Sequence, residues 1–175
     1  MTLAHRLYGS LVLDAATYED VEADPSAWPQ ALAIVLAFSA AAAIGFTGAA
    51  PRAGFVVAAA LASLAGWLSW AVIVAYLGIR VFPEPQTRSG VGELTRTLGF
   101  SLTPGLFLVL LVVPFAPPAT LVVVFVWMLA AMIVAVRQAL DFTHTARAVG
   151  VCLAGWALVA ALVLAAGFVF GSRVS

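Results

Sequence analysis

Five long apolar stretches restrict what this chain can fold into. They cover about 29–50, 55–81, 98–115, 120–136 and 149–170. Each is close to the roughly 20 residues that a helix needs to cross a bilayer. No ten-residue units of alternating polarity, typical of membrane barrel strands, compete with them. The sequence therefore predicts an all-α membrane protein, in which 1–25 precedes a five-transmembrane-helix bundle formed by 26–175.

Composition and chemistry point the same way. The chain is 64% hydrophobic and 9% charged, whereas a soluble domain carries about 25% charged residues. Its net charge of zero gives no indication of a nucleic-acid partner. There is one cysteine, and no Ser-His-Asp order, phosphate loop or metal-ligand spacing is recognisable. We therefore expect no enzymatic activity, no cofactor and no small-molecule substrate, with the lipid bilayer and another membrane protein or complex as partners.

The arginines predict the orientation. On alternating sides of the five predicted spans, the N-terminal side holds Arg6, Arg80, Arg88, Arg96, Arg137 and Arg147. The opposite side holds only Arg52 and Arg173. Because cytoplasmic loops carry the excess of positive charge, we expect a cytoplasmic N-terminus and an external C-terminus in the cell inner (plasma) membrane. Asp14 and further acids precede the first long apolar stretch, so a cleaved signal peptide is not expected.

The N-terminal segment has the pattern of an amphipathic helix. Apolar residues at helical spacing are Leu3, Leu7, Leu11, Ala15 and Tyr18, and polar residues elsewhere on the wheel are Arg6, Ser10 and Thr17. This pattern predicts a helix lying at the membrane interface, with a break at Asp14. It serves either as an anchor, which is the more common case, or as a docking surface. Ser26 is predicted to cap the first span.

Small residues recur every four positions in three spans. In span one they are Ala33, Ala37, Ala41, Gly45 and Ala49; in span two, Ala58, Ala62 and Gly66; in span five, Ala157, Ala161 and Ala165. This spacing lets helix backbones approach closely. We expect packing within the bundle, with an oligomer interface as the alternative. The tryptophans within the spans are expected to fill gaps in the same bundle.

The stretch "LGFSLTPGLF" interrupts the start of span three. Before it, Val91, Leu94 and Leu98 share one helical face, which predicts a short interfacial helix with Glu93, Arg96 and Thr97 directed to water or a partner. Pro104 deprives the carbonyl of residue 100 of its helical partner, and the hydroxyls of Ser101 or Thr103 are candidate replacements. Glycine and proline thus predict an elbow into the bilayer. Such breaks also form transporter sites, but no ionisable residue lies within a span core.

The stretch "VRQALDFTHTARAV" is the second concentration of polar residues. Arg137 and Asp141 are four apart, so they are predicted to pair at the end of span four. His144 and Arg147 follow in the turn. We interpret the pair as structural, in preference to a catalytic or proton-relay role.

The chain resembles a known family at these two stretches. "LGFSLTP" is similar to the glycine–aromatic–Ser-Leu-x-Pro stretch of Yip-domain proteins, the Ypt/Rab-interacting membrane family, through Gly99, Phe100, Ser101, Leu102 and Pro104. Bacterial members are also similar in the lead-in "YEDVEADPSAWPQAL", in "GELTR" and in an arginine-rich turn. In this sequence that turn supplies Arg137, Gln138, Asp141, Arg147 and Ala148. The resemblance covers about 15–170.

The resemblance implies five spans, a cytoplasmic N-terminus and no enzymatic activity. Eukaryotic relatives act in vesicle trafficking and membrane shaping. They carry a "DLYGP" stretch, whereas "RLYGS" here lacks its acid and its proline, which argues against Rab binding. Three hypotheses follow: a non-enzymatic membrane scaffold or adaptor, an accessory subunit of a larger membrane complex, or a small carrier or channel.

Overall fold

A computed structural model describes residues 1–87, 89–113 and 118–171, with side chains up to 161. Every regular element in that part of the chain is helical. The α-helices are α1 Leu3–Leu11, α2 Ala15–Ala23, α3 Trp28–Thr47, α4 Ala53–Tyr76, α5 Val91–Phe100, α6 Pro118–Ala139 and α7 Thr145–Gly171. A short 3₁₀ turn Pro25–Ala27 precedes α3, a π-helical turn Leu77–Val81 extends α4, and a 3₁₀ helix Thr103–Val112 follows α5.

Four helical stretches in the described residues are long and apolar enough to cross a membrane. They are Pro25–Thr47, Ala53–Val81, Val91–Val112 and Pro118–Ala139. The described apolar part of α7, Thr145–Ala161, is shorter. Over the residues that the structure describes, the chain is therefore all-helical, with four candidate spans and one further apolar helix. The expectations for Arg88, Arg173, Ala165 and the end of span three at 114–115 concern positions outside the described side chains, so they stay predictions.

The N-terminal segment folds as two helices because Asp14 breaks it. The Asp14 carboxylate accepts hydrogen bonds from the backbone N–H of Ala16 and Thr17, so it caps α2. The predicted break is confirmed. Arg6, Ser10 and Thr17, which lie away from the apolar residues on the helical wheel, are buried, whereas Leu3 is exposed. The polar face makes the tertiary contacts because its groups find hydrogen-bond partners within the chain.

The first span is capped by Asp24 rather than by Ser26. The Asp24 carboxylate accepts a hydrogen bond from the Ser26 backbone N–H at 2.9 Å and one from the Ser26 hydroxyl at 2.6 Å. Pro29 then lies in the first turn of α3, where a missing N–H leaves no bond unmade. The predicted start of the span is thus correct, but the capping residue is two positions earlier.

Helix α5 lies inside the bundle. It contacts α2, α3, α4 and α6, and every residue from 94 to 100 is buried. The predicted exposure of Arg96 and Thr97 to water is therefore wrong. Both side chains can be buried because carbonyl groups of the protein accept their hydrogen bonds. The Thr97 hydroxyl donates to the Glu93 carbonyl, and the Arg96 guanidinium donates to carbonyls of α2. Glu93 itself is half-buried, and Val91 is exposed.

The helix type changes where the elbow is predicted. The α-helix ends at Phe100, a turn at Ser101 and Leu102 follows, and the 3₁₀ helix has Pro104 in its first turn. The Thr103 hydroxyl donates to the Phe100 carbonyl at 2.7 Å, which confirms the predicted replacement partner. A 3₁₀ helix rises about 2.0 Å per residue, so the ten residues Thr103–Val112 extend about 20 Å.

The small residues of span one pack, but on a different face. Ala41 is buried, and Gly45 makes close contact with the Leu108 backbone. Ala33, Ala37 and Ala49 are exposed, whereas the neighbouring positions Ala31, Val35, Ser39 and Ala43 are buried. A shift of two residues turns a helix by about 200°, so most of the predicted stripe points away from the bundle. In α4 and α7 the residues Ala58, Ala62, Gly66, Ala157 and Ala161 are exposed as well.

Gly99 marks the closest approach of α5 to α3. A Cβ at this position would lie 2.7 Å from Ala31 Cβ. Neighbouring core residues are Val35, Leu98 and Phe100, all buried.

The tryptophans within the spans differ in burial. Trp67 is buried and donates to the Thr95 carbonyl at 2.9 Å, while Trp156 is exposed. Only some of the tryptophans therefore fill gaps in the bundle.

We predict that Gly99→Leu destabilises the protein by about 1–3 kcal/mol or more, because overpacking forces α5 away from α3. Gly150→Leu is the matched control, since a Cβ at Gly150 meets nothing within 4 Å. Thermal unfolding in detergent, followed by circular dichroism, measures both. Equal melting temperatures for the two variants would contradict the close α3–α5 contact.

Candidate functional site at the polar end

Polar residues from distant parts of the chain meet at one end of the bundle. We call this region the polar end. It comprises α2, the described residues 82–87 and 89–90 of the loop before α5, the first turns of α5, and the turn 137–147 that joins α6 to α7. Gln138 donates to Glu19 at 2.7 Å, and Gln86 donates to the Asp141 carbonyl at 3.1 Å. These bonds join segments 119 and 55 residues apart, so the polar end is a tertiary structure and not a set of separate loops.

Buried arginines fix the N-terminal helices to this end. The Arg6 side chain, 1% exposed, donates to Asp20 at 2.7 Å, to Asp24 at 2.6 Å and to Gln30 at 3.0 Å. The two carboxylates compensate the buried charge, as burial of an ion requires. Hydrogen bonds from Ser26 and Arg6 hold the pKa of Asp24 well below its usual range, so the pair is ionised at neutral pH.

Arg96 makes the contact between α5 and α2. Its Nε donates to the Val21 carbonyl at 3.2 Å, and its Nη2 donates to the Glu22 carbonyl. Both acceptors belong to the last turn of α2, where carbonyls have no intrahelical partner and a cation is favoured. Arg96 therefore caps a helix that lies more than seventy residues earlier in the sequence.

A polar cavity of about 550 Å³ opens between these elements. Side chains on α2, the loop 82–90 and the turn after α6 line it: Glu19, Glu22, Gln86, Arg137, Gln138, Asp141, Phe142 and Thr143. Three carboxylates and one guanidinium are included, together with amide and hydroxyl groups. Such a surface can exchange hydrogen bonds and ion pairs with a polar partner.

Glu22 has an unusual electrostatic environment within this cavity. Burial raises its pKa from 4.5 to about 7, and the negative charges of Asp141 and Glu93 add to the effect while Arg96 opposes it. Glu22 therefore changes its charge near neutral pH. Since it stands where α2 meets α5 and the turn after α6, its ionisation acts on the contact between the N-terminal helices and the bundle.

The sequence predicts an ion pair between Arg137 and Asp141, and this prediction is wrong. No ion pair joins these two residues in the described structure. Helix α6 ends at Ala139, and Asp141 adopts a left-handed conformation with φ of 53°, so the spacing of four residues no longer places the side chains together. Arg137 donates instead to the Phe142 carbonyl at 3.4 Å.

Glu84 makes the largest set of side-chain contacts with the α6–α7 turn, next to the single bonds from Gln86 and Thr87. Its carboxylate accepts from the backbone N–H and the hydroxyl of Thr143 at 3.2 and 2.9 Å, and it forms an ion pair with Arg147 at 3.0 Å. Although burial opposes ionisation, these hydrogen bonds hold the pKa of Glu84 below its usual range. Glu84 is not among the residues predicted from the sequence, although an acid between two prolines in "FPEPQ" is a signal of a constrained carboxylate.

The structure brings most of the predicted site residues together. Glu93, Arg96, Arg137, Gln138, Asp141 and Arg147 all lie at the polar end. Gly99, Phe100, Ser101 and Pro104 are buried further along the same span and serve packing. Glu19, Glu22 and Gln86 complete the cavity and were not predicted, because their contribution depends on tertiary contacts between distant segments.

Four candidate spans, with charged residues gathered at one end of the bundle, define an all-helical multi-pass membrane protein. The family model described as the Yip1 domain matches residues 8–174. The chain therefore belongs to the Yip1 domain family, as its "LGFSLTP" stretch predicts. No curated protein and no solved structure matches the chain.

We predict that Glu84→Ala lowers the melting temperature clearly more than Arg137→Ala does, since Thr143 loses two hydrogen bonds and Arg147 loses its ion-pair partner. Arg137→Ala is the control from the same turn and should cost only tenths of a kcal/mol, because its one hydrogen bond is long and part-exposed. Unfolding curves in detergent measure both. A larger loss for Arg137→Ala would restore the sequence-based interpretation.

Glu22 predicts a pH-dependent stability. Because its pKa in the folded protein lies above the ordinary 4.5, the folded state binds the proton more tightly. This stabilisation is complete below about pH 4.5 and is lost as the pH rises through 7. Between pH 5 and 8, wild type should therefore lose more stability than Glu22→Gln, by on the order of 2–4 °C in Tm.

Glu19→Gln is the matched control, since Glu19 lies on the same helix and lines the same cavity but is exposed. Because the Glu19 charge is the smallest of the causes that raise the Glu22 pKa, this variant should reduce the pH dependence far less than Glu22→Gln. Identical pH profiles for wild type and Glu22→Gln would show that the Glu22 carboxylate does not titrate at the contact between α2 and the bundle.

Proposed function

We propose that this Yip1 domain protein is a non-enzymatic membrane scaffold or adaptor that binds a partner at its polar end. The observation that carries the proposal is the cavity lined by Glu19, Arg137 and Gln138 with their neighbours. Its groups come from three segments that hydrogen bonds join, including those from Gln138 to Glu19 and from Gln86 to the Asp141 carbonyl, while its mouth remains open to solvent. A mixed-charge surface of this kind supports recognition of a polar protein segment.

The distribution of charge argues against a carrier for charged solutes. In the sequence, no charged residue lies between Asp24 and Arg52, between Arg52 and Arg80, or between Arg96 and Arg137. A pathway for ions or charged substrates requires ionisable groups at mid-depth. The carrier or channel hypothesis is therefore the weakest of the three.

An accessory-subunit role is the second candidate. Exposed small residues at four-residue spacing, Ala58, Ala62 and Gly66, give α4 a smooth outer face. That face suits close packing against a helix of another membrane protein. The two candidates differ in which surface the partner covers.

Site-specific photo-crosslinking in cells distinguishes these candidates. A photoreactive residue at Gln138 reports on the cavity, and one at Leu61, which is exposed on α4, reports on the span face. The adaptor proposal expects a discrete crosslinked protein from position 138 and none from position 61. Crosslinks from position 61 alone would favour the accessory subunit, and none from either position would contradict both roles.

We further propose that α7 completes a fifth span, with the polar end in the cytoplasm of a cell with an inner (plasma) membrane. The six-to-two division of arginines supports this orientation. A phosphatase fused after Ser175 should be active outside, and one fused after Arg88 should be silent. The reverse pattern would overturn the orientation, and activity at neither or both positions would overturn the number of spans.

A further inference from the structure

A second, apolar cavity opens on the side of the bundle. It has a volume of about 470 Å³ and lies between α4, α6 and α7, with residues of α5 at its base. Trp67, Trp70, Met128 and Trp156 are among its walls. Two rim residues, Phe125 and Trp156, are 50% and 57% exposed, so the cavity is a groove open toward the surroundings of the protein. We call it the lateral groove.

The lateral groove lies at the depth of the hydrocarbon. On α4 it extends from Ser63 to Ile73, about 15 Å along the helix axis. Those residues lie in the middle of the candidate span Ala53–Val81. The medium facing the groove is therefore lipid and not water.

The groove exists because α4 and α7 meet only locally. Trp70 packs on Trp156 with ring centroids 5.5 Å apart, and a Cβ added at Gly155 would lie 2.7 Å from the Trp70 ring. Elsewhere along the groove, α4 presents small residues. A Cβ added at Gly66 would meet nothing within 4 Å, so no side chain fills the space beside this residue.

Two polar groups that line the groove have hydrogen-bond partners, whereas the buried indole N–H of Trp70 has none within the described structure. The Ser101 hydroxyl donates to the Leu98 carbonyl at 2.8 Å, and the Trp67 indole N–H donates to the Thr95 carbonyl at 2.9 Å. Ser101 and Trp67 therefore contribute mainly carbon atoms to the surface of the groove. An apolar occupant fits such a surface, because atoms lining an unfilled gap lose their dispersion contacts.

We propose that the lateral groove binds the hydrocarbon chain of a membrane lipid. A helix is the competing occupant, but its diameter of about 10–12 Å and pitch of 5.4 Å give roughly 420–610 Å³ for a single turn. The groove therefore holds about one turn, whereas a spanning helix needs about 20 residues. A lipid chain is narrow enough to enter from the bilayer between α4 and α7.

Quenching of tryptophan fluorescence by brominated lipid tests this proposal. The protein carries Trp67 as its only tryptophan, with the other four replaced by phenylalanine, and is reconstituted in phosphatidylcholine vesicles with or without bromine near the middle of the acyl chains. Trp67 is 5% exposed, so lipid surrounding the bundle is screened from it. We expect brominated lipid to reduce its emission at least twofold.

Gly66→Phe in the same background should restore most of the emission, because a Cβ at Gly66 meets nothing within 4 Å and the added ring occupies the groove that Gly66 lines. Gly54→Phe is the matched control: Gly54 also has open space around it but lies outside the groove, so quenching should persist. Ser63→Leu fills the groove from one turn earlier and replaces Gly66→Phe if that variant does not fold.

Unquenched Trp67 emission in brominated vesicles would overturn the proposal. Equal quenching with and without the groove-filling substitution would also overturn it, because the bromine would then reach Trp67 by another route. Neither result bears on the polar end, so the outcome is independent of the proposed adaptor function.

Discussion

The Arg96 guanidinium holds two parts of the protein together. It donates to the carbonyls of Val21 and Glu22 at the end of α2, and it does so from a helix buried among α2, α3, α4 and α6. These bonds give a donor to carbonyls at the end of α2 that have no partner within the helix. They also compensate the burial of the Arg96 charge. With Arg6 bonded to Asp20 and Asp24, they turn the N-terminal segment into a folded cap on the bundle. The polar cavity is the space that remains between this cap and the turn after α6.

Some features of the sequence predict the structure well because their physics is local. Long apolar stretches predict five spans, and four of them appear in the described residues as helices long and apolar enough to cross a membrane. Asp14 predicts the break between α1 and α2. Pro104 deprives the Phe100 carbonyl of its helical partner, and a nearby hydroxyl replaces it, as local geometry requires. Family membership also follows from contiguous residues, since "LGFSLTP" and its neighbours occur in sequence order. Each of these inferences needs only residues within a few turns of one another.

Other predictions are wrong because they depend on what packs against a helix. Hydrophobic periodicity places Arg6 and Arg96 away from the apolar faces of their helices. The periodicity does not show that carboxylates or carbonyls on a neighbouring helix accept hydrogen bonds from these two arginines. The same limit applies to Arg137 and Asp141: a spacing of four implies pairing only if the helix continues, and α6 ends at Ala139. In span one, alanines are so frequent that a four-residue stripe can be traced on several faces. The close contacts of Ala31 with Gly99 and of Gly45 with Leu108 identify the residues that pack.

Amide hydrogen exchange in detergent tests most directly whether the N-terminal segment is a docked cap. The account predicts that amides of α2, Ala15–Ala23, are protected to a degree comparable with those of α5. Arg96→Gln should accelerate exchange in α2 while leaving the middle of α3 unchanged, because the substitution removes the charged donor at the end of α2 alone. Exchange in wild-type α2 as fast as in an unstructured peptide would contradict the account, as would protection of α2 that is unaffected by Arg96→Gln.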